Sequence, residues 1–179
     1  GEVISEIPFG TTLFPDGTMR TIPAIPNIAN EDTINIDASE YFETMTLYNG
    51  MLKMKLENGY PTDISNVSLS LINVVNQNLI ATFIFPLIPS GTTAEDSVDI
   101  SGQTLDENLL AILHNMDINA SNGPVLIDYS DAIITTITIA DIGLLEATAF
   151  FPEQQLDSIK TEFSFDMKNL SDYSKYIGN

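Results

Sequence analysis

The sequence predicts an all-β protein, a two-layer antiparallel β-sandwich with at most one short helix near residues 105-114. Three observations lead there. Apolar and polar residues alternate with a period of two, as in Val67-Ser68-Leu69-Ser70-Leu71, which turns one face of a strand to a core and the other to solvent. β-Branched and aromatic runs recur at short intervals, separated by Asn, Gly, Asp and Ser. These runs fill the chain from Asn30 onward, and so many short strands most naturally form two packed antiparallel sheets, with a closed barrel as the alternative.

Residues 1-30 carry Pro8, Pro15, Pro23 and Pro26 and the turn Pro15-Asp16-Gly17-Thr18, a density that excludes a central strand. This segment is expected to be an extended lead-in with room for one edge strand, and residues 31-179 a single β-sandwich domain. Within that domain Met45-Thr46-Leu47-Tyr48 and Met51-Leu52-Lys53-Met54-Lys55-Leu56 flank Asn49-Gly50. Asn-Gly readily adopts the two positive φ angles of a type I′ turn, so a β-hairpin is expected over Thr44 to Leu56. Asn66 to Asn73 reads as a half-buried strand. Leu79 to Phe85, apolar on both faces, reads as a central strand ended by Pro86.

After the turn Pro89-Ser90-Gly91, Ala94, Val98 and Ile100 face one way and Glu95, Ser97 and Asp99 the other. Thr104 to Ala120 fits two patterns. Thr104-Leu105-Asp106-Glu107 matches a capping box and Leu105, Leu109, Ile112, Leu113 and Met116 recur at helical spacing. Leu110, Ile112, Met116, Ile118 and Ala120 also fit a strand interrupted at His114. The expectation is a short helix followed by a strand, with one long strand as the alternative. Strands are then expected over Val125 to Tyr129, Ile133 to Ala140, Leu144 to Phe151 and the amphipathic Phe163 to Met167.

Composition narrows the function classes. The 179 residues hold 25 acidic and 6 basic side chains, a formal charge of -19. Arg20, Lys53, Lys55, Lys160, Lys168 and Lys175 are scattered, so no basic patch offsets a surface that repels phosphate backbones, and no nucleic-acid partner is expected. The same field argues against docking on anionic lipid, and no run approaches the ~18 apolar residues of a membrane-spanning helix, so no direct membrane insertion is expected. With no cysteine, thiolate chemistry and cysteine-ligated metals are excluded. The chain begins at Gly1 rather than Met, which reads as a processed boundary with any signal peptide removed.

Catalytic signals are sparse, and the expectation is a non-enzyme. His114 is the only histidine, no G-x-S-x-G elbow accompanies it, and it is read as an ordinary polar residue. Neither a Walker A loop nor a G-x-G-x-x-G turn occurs. Paired carboxylates could hydrolyse glycosides, but no one pair stands out among so many acids. No cofactor is expected; calcium is the ion for which hard oxygen ligands are plentiful, at Glu31-Asp32 with Asp37, Glu95-Asp96 with Asp99, Asp106-Glu107, and Asp128 with Asp131. None of these forms an EF-hand loop, and acidic loops are more often simply solvated faces. Asn66-Val67-Ser68, Asn119-Ala120-Ser121 and Asn169-Leu170-Ser171 fit the N-glycosylation sequon. Asp32-Thr33-Ile34, Asp96-Ser97-Val98 and Asp157-Ser158-Ile159 resemble the Asp-Ser/Thr-aliphatic sites at which Bacteroidetes-type bacteria O-glycosylate exported proteins.

The run Asn49-Gly50-Met51-Leu52 through Leu56-Glu57-Asn58-Gly59-Tyr60-Pro61-Thr62-Asp63-Ile64 resembles a recurring pattern in large, uncharacterised exported proteins of Bacteroidetes-type bacteria. There a strand leads through an Asn-x-x-Pro-x-x-Ile turn into a second strand. Ile88-Pro89-Ser90-Gly91-Thr92 and Asp99-Ile100-Ser101-Gly102-Gln103-Thr104-Leu105 are similar to its later turns, and the resemblance covers residues 49 to about 150. The Asn-x-x-Pro turn also resembles the Asn-Pro junction of late-embryogenesis-abundant β-sandwich domains, although Gly59-Tyr60 separates Asn58 from Pro61 here. The resemblance implies a β-rich module, extracellular, cell-surface or periplasmic, with no catalytic residues to carry over.

The expected function is therefore a non-enzymatic exported module with a structural, adhesive or interaction role at a bacterial cell envelope, with a protein or other envelope component as partner. Pairing with a neighbouring module is expected to begin at Phe163 to Met167. The alternative is a lipid- or glycan-binding module that uses calcium, in which Leu79 to Phe85 and Ile133 to Ala140 line a cavity.

Overall fold

The computed structural model describes residues 13–28, 32–148 and 159–166, with backbone alone for Asp32 and for 159–166. The strands are β1 (Met19–Arg20), β2 (Asp32–Asp37), β3 (Thr44–Asn58), β4 (Ile64–Asn73), β5 (Leu79–Ile88), β6 (Thr93–Asp99), β7 (Thr104–Asp106), β8 (Asn108–Ile118), β9 (Val125–Leu126), β10 (Ala132–Thr148) and β11 (Ile159–Asp166). One sheet has the order β2-β8-β4-β5. The other runs β11-β10-β3-β6, with β7 also paired to β3. All pairings are antiparallel, and the inner faces of both sheets meet in one core that includes Leu52, Met54 and Leu56 of β3, Leu69 and Leu71 of β4 and Phe83 of β5. The protein is a two-layer antiparallel β-sandwich.

Residues 13–28 contribute to that core. β1 pairs with β9, Ile25 bridges to Ile118, and Ile22, Ile25 and Ile28 are buried while the prolines between them stay exposed. The spacing of these isoleucines, three residues apart, is that of an irregular strand turning past one end of the sheet.

The hairpin expected at Asn49-Gly50 does not form: β3 runs unbroken from Thr44 to Asn58. Its buried positions step from Met45 and Leu47 to Gly50 and Leu52, so one extra residue at Tyr48-Asn49 shifts the side-chain phase without reversing the chain. The backbone here is held by neighbours instead of a turn. Ile100 N donates to Gly50 O (2.9 Å), Gly102 N to Leu47 O (2.9 Å), and Leu47 N to Gln103 O (2.9 Å). Opposite, β10 is irregular between Ala140 and Glu146, so the expected strands Ile133 to Ala140 and Leu144 to Phe151 merge into one as far as Thr148. Asn49 Nδ2 donates to Asp141 O and ties the two irregularities together.

Residues 105-114 form no helix. Thr104–Asp106 is β7 and Asn108–Ile118 is β8, with Leu109, Ala111, Leu113, Met116 and Ile118 turned inward. A helical reading fails because β2 and β4 flank β8 and supply both sets of ladder bonds. The break in alternation is a bulge centred on His114, matched by a bulge on β4 at Asn66, whose φ is 52°.

The strand beginning at Leu79 is an edge strand and extends through Pro86 to Ile88. Its inner face buries Phe83, Phe85 and Ile88. Its outer face leaves Ile84 64% exposed, and Leu79 and Leu87 are also exposed. Proline fits there because an edge strand leaves alternate N–H groups without a partner. The expected strand Val125 to Tyr129 is shorter: Ile127 N donates to Thr18 O and Gly17 N to Ile127 O (both 2.8 Å) just past β9, and Asp128 then opens a turn. On β6, Ala94 and Val98 turn inward while Glu95, Ser97 and Asp99 face solvent, as expected. Asp96 shares the inward register at this edge, a placement that discourages edge-to-edge pairing. β11 occupies the opposite edge of its sheet; Met167 and the side chains of Phe163 and Phe165 lie outside the described residues.

Candidate functional site

At the end of the sandwich where β3 and β5 finish and β4 begins, three loops are bonded into one surface. Asn58 is buried; its Nδ2 donates to Thr62 O (3.0 Å) and Ile88 O (2.9 Å), and its Oδ1 accepts from Tyr60 N (3.0 Å). Both of its amide N–H groups and its oxygen are thereby bonded to main-chain atoms and shape the turn that follows. Gly59 N donates to Ala132 O (3.0 Å), and a Cβ at Gly59 would collide with that carbonyl, so only glycine fits. Asp63 Oδ1 accepts from Ser90 N (2.9 Å), Asp63 O accepts from Asn119 N (2.9 Å), and Ser90 Oγ donates to Tyr60 O (2.7 Å). Ser121 Oγ accepts from Ile22 N (2.9 Å) and donates to Gly123 O (2.6 Å), which fixes the third loop.

Between these loops lies a groove of about 330 Å³, lined by Thr62, Asp63, Ser90, Ser121 and Asn122 with Pro61 and Pro124 at its sides. The Thr62 hydroxyl is buried in its wall with no hydrogen-bond partner among the described residues. Asp63 uses one carboxylate oxygen on Ser90, and the other makes no bond among the described residues. The groove thus offers the second Asp63 carboxylate oxygen and the Asn122 amide on a frame that the hydrogen bonds of Ser90 and Ser121 hold in place. Such a set suits a ligand rich in hydroxyl groups.

The opposite end of the four-stranded sheet, where β2 finishes and β8 begins, opens on a narrower crevice of about 150 Å³. Its walls are the inner-face side chains of both sheets, and Asp37, Glu40 and Tyr41 stand at its mouth.

No protein-family model and no curated protein sequence matches this chain. Several solved structures are similar, among them two carbohydrate-binding modules and a viral coat protein. A carbohydrate-binding module from Cellvibrio mixtus lichenase 5A, solved in complex with cellotriose, aligns with a TM-score of 0.32 at 12% identity, over 57% of this chain and 82% of that one. A family 6 carbohydrate-binding module gives 0.31 at 16% identity, over 59% and 81%. The coat protein of Tobacco streak virus gives 0.24 at 14% identity, over 66% and 95%. TM-scores this far below 0.5 carry no argument about ligand or activity.

The residues singled out in the sequence are dispersed. His114 is exposed in its bulge. Asp37, Asp99 and Asp128 each open the same local turn: Oδ1 accepts the backbone N–H of the serine two residues on, at 2.9, 2.8 and 2.8 Å. Side-chain and then backbone hydrogen bonds from Ser39, Ser101 and Ser130 hold these carboxyls below their ordinary pKa. Burial, and then the charge of Asp128, push Asp131 the other way. Glu95 and Asp99 face solvent on β6. Asp106 ends β7, with Oδ2 buried and unpartnered among the described residues. Glu31 lies outside the described residues, as does the side chain of Asp32. Among the described residues no three acidic or histidine side chains converge closely enough to hold a metal ion.

Of the modification tripeptides, Asn66 is exposed with Nδ2 donating to Asp117 Oδ2 (2.6 Å), and Asn119 Oδ1 accepts from Ser65 Oγ (2.8 Å). Ser97 is exposed on the edge strand β6, and Thr33 is exposed on β2; Asn169 and Ser158 lie outside the described residues. Leu79 to Phe85 and Ile133 to Ala140 send Phe83, Phe85, Ile133, Ile137 and Ile139 into the packed core, and only Ile137 and Ile139 of these reach the crevice. Sequence reading did not find the groove. Asp63 and Ser90 stand in segments recognised as turns, but their meeting across 27 positions leaves no local signal.

Proposed function

We propose that this protein is a non-enzymatic, exported β-sandwich module that serves as an adhesive or interaction domain at a bacterial cell envelope, and that it makes contact through the polar loop-end groove. The observation that carries the reading is the groove's construction. Asp63 is fixed by Ser90 and Asn119 and, among the described residues, keeps one carboxylate oxygen unbonded, next in the chain to Thr62, whose buried hydroxyl has no partner among them. Preformed polar groups in a concavity recognise a ligand with little ordering cost, and hydroxyls of an envelope glycan are the complementary chemistry. The acidic surface favours a neutral or cationic glycan over an anionic one. The resemblance of residues 49 to about 150 to exported modules of Bacteroidetes-type bacteria supports the compartment.

Nothing in the site suggests turnover. His114 is exposed in its bulge and does not line the groove, and three of the flagged carboxylates are engaged in their own turns. Calorimetric titration with a panel of neutral envelope oligosaccharides tests the reading. Saturable binding is expected, and Asp63→Ala with Asn122→Ala should abolish it while the melting transition stays cooperative. Binding that survives both substitutions, or no binding across the panel, contradicts it.

A further inference from the structure

The crevice at the other end of the sandwich is a second site, independent of the groove. Its floor and walls are Phe42, Leu52, Leu71, Leu109, Ile137 and Ile139, all buried side chains of the two inner sheet faces. A space of about 150 Å³ lined by Leu, Ile and Phe matches the size and character of a protein cavity that stays dry and accepts a benzene ring. It is too short for a long acyl chain. Water entering it would find few polar partners, so the space favours an apolar group.

The mouth differs in character. Asp37 and Glu40 stand beside Tyr41, which is 42% exposed, and Ser39 N orients the Asp37 carboxylate by donating to Oδ1 at 2.9 Å. A chain of charge -19 repels an anionic head group, whereas two carboxylates at a narrow apolar opening attract a cation. We infer that this crevice binds a small arylalkylammonium ion, with the ring among the inner-face side chains and the ammonium group between Asp37 and Glu40.

The experiment is a titration of the folded protein with phenethylamine, toluene, phenylacetate and methylamine, followed by protein-observed NMR. Phenethylamine should shift the resonances of residues around Phe42 and Leu109 saturably. Toluene should bind at the same place more weakly, and phenylacetate and methylamine should not compete. Asp37→Asn with Glu40→Gln should reduce phenethylamine affinity by about five- to tenfold, the sum of two solvent-facing ion pairs, and leave toluene unchanged. Ala38→Phe should fill the space and remove binding of both ligands; if that variant does not melt cooperatively, the carboxylate pair decides. Phenylacetate binding as tightly as phenethylamine, or no saturable shift with either ring compound, overturns the inference. Because none of these residues touches the groove, loss of oligosaccharide binding and loss of amine binding are separate outcomes.

Discussion

Asn58 and Ile88, thirty residues apart, are joined by a 2.9 Å hydrogen bond from the Asn58 side-chain amide to the Ile88 carbonyl. This bond connects the end of β3 in one sheet to the end of β5 in the other, and the same amide group closes the turn onto Thr62. Gly91 N and Asn58 N add two main-chain bonds, to Asn58 O and Thr92 O, both at 2.9 Å. The groove is therefore hung on a buried staple between the layers. Asn73 does the same at the other end, with Oδ1 accepting from Asp106 N (3.0 Å) and Nδ2 donating to Thr104 O (2.8 Å).

Removing the staple should be costly. Asn58→Ala leaves two buried carbonyls and one N–H without their partner, at about 1–3 kcal/mol for each group that water does not reach. Asn58→Asp should be worse at neutral pH, since it sets a carboxylate against two carbonyl oxygens. Urea unfolding should show a loss of several kcal/mol in total for the alanine variant, about the sum of those terms. A midpoint indistinguishable from the parent would contradict the staple.

Two glycines should respond differently to alanine. A Cβ at Gly59 meets the backbone carbonyl of Ala132, which the β3–β10 ladder holds in place. At Gly50 the obstacle is Leu47 Cδ1, 2.7 Å away, a flexible side-chain end that can rotate aside. Thermal melts should show a much larger loss for Gly59→Ala than for Gly50→Ala. Equal losses would mean that β3 does not pass straight through Gly50.

The β5 edge makes a further contrast. Phe83 is fully buried and Ile84 is mostly exposed, so Phe83→Ala should cost about 3–5 kcal/mol and Ile84→Lys about 0.5 kcal/mol or less. If both faces of β5 were covered, both would be severe. Chemical denaturation of the two variants reads the difference directly.

The acid response follows from the Asp-x-Ser turns. Asp37, Asp99 and Asp128 have native pKa values below the unfolded value near 3.8, so the stability they add is present above that pH and disappears as pH falls through their lower native values. Asp131 is raised, so it acts oppositely: its ionisation disfavours the native state once pH passes the native value. Asp131→Asn should therefore raise the melting temperature at pH 7 and have little effect at pH 3. Alanine at Ser39, Ser101 and Ser130 should lower stability at pH 7 more than at pH 2. A uniform effect across pH would contradict the assignment of these turns.

Much of the architecture was legible because burial on one face imposes a period of two. Val67, Leu69 and Leu71 show it without interruption, and Ala94 and Val98 show it on either side of Asp96. What escaped the sequence reading was long-range. Asn49-Gly50 has the local preference of a hairpin, but about fifty residues on Ile100 N donates to Gly50 O, Ser101 Oγ accepts from Gly50 N, and Gly102 and Gln103 bond Leu47, which together keep β3 extended. The helical spacing of Leu105, Leu109, Ile112, Leu113 and Met116 is fortuitous: Leu105 belongs to β7, Ile112 faces away from Leu113 on β8, and only the step from Leu113 to Met116 reflects the His114 bulge. Leu79 to Phe85 is apolar on both faces, yet lies at an edge, because nothing in its own composition tells which strands flank it. The groove was invisible for the same reason: Asp63, Ser90 and Asn122 belong to three turns that only the sheet order brings together.

The claim that matters most is that the loop-end groove is the contact surface for an envelope glycan. Amide chemical-shift mapping with a neutral envelope oligosaccharide tests it most directly. The account predicts saturable shifts at Thr62, Asp63, Ser90 and Asn122, with the Asp37–Phe42 region unmoved. Shifts confined to the sheet faces or to the edge strand β5, with the groove silent at saturation, would contradict it.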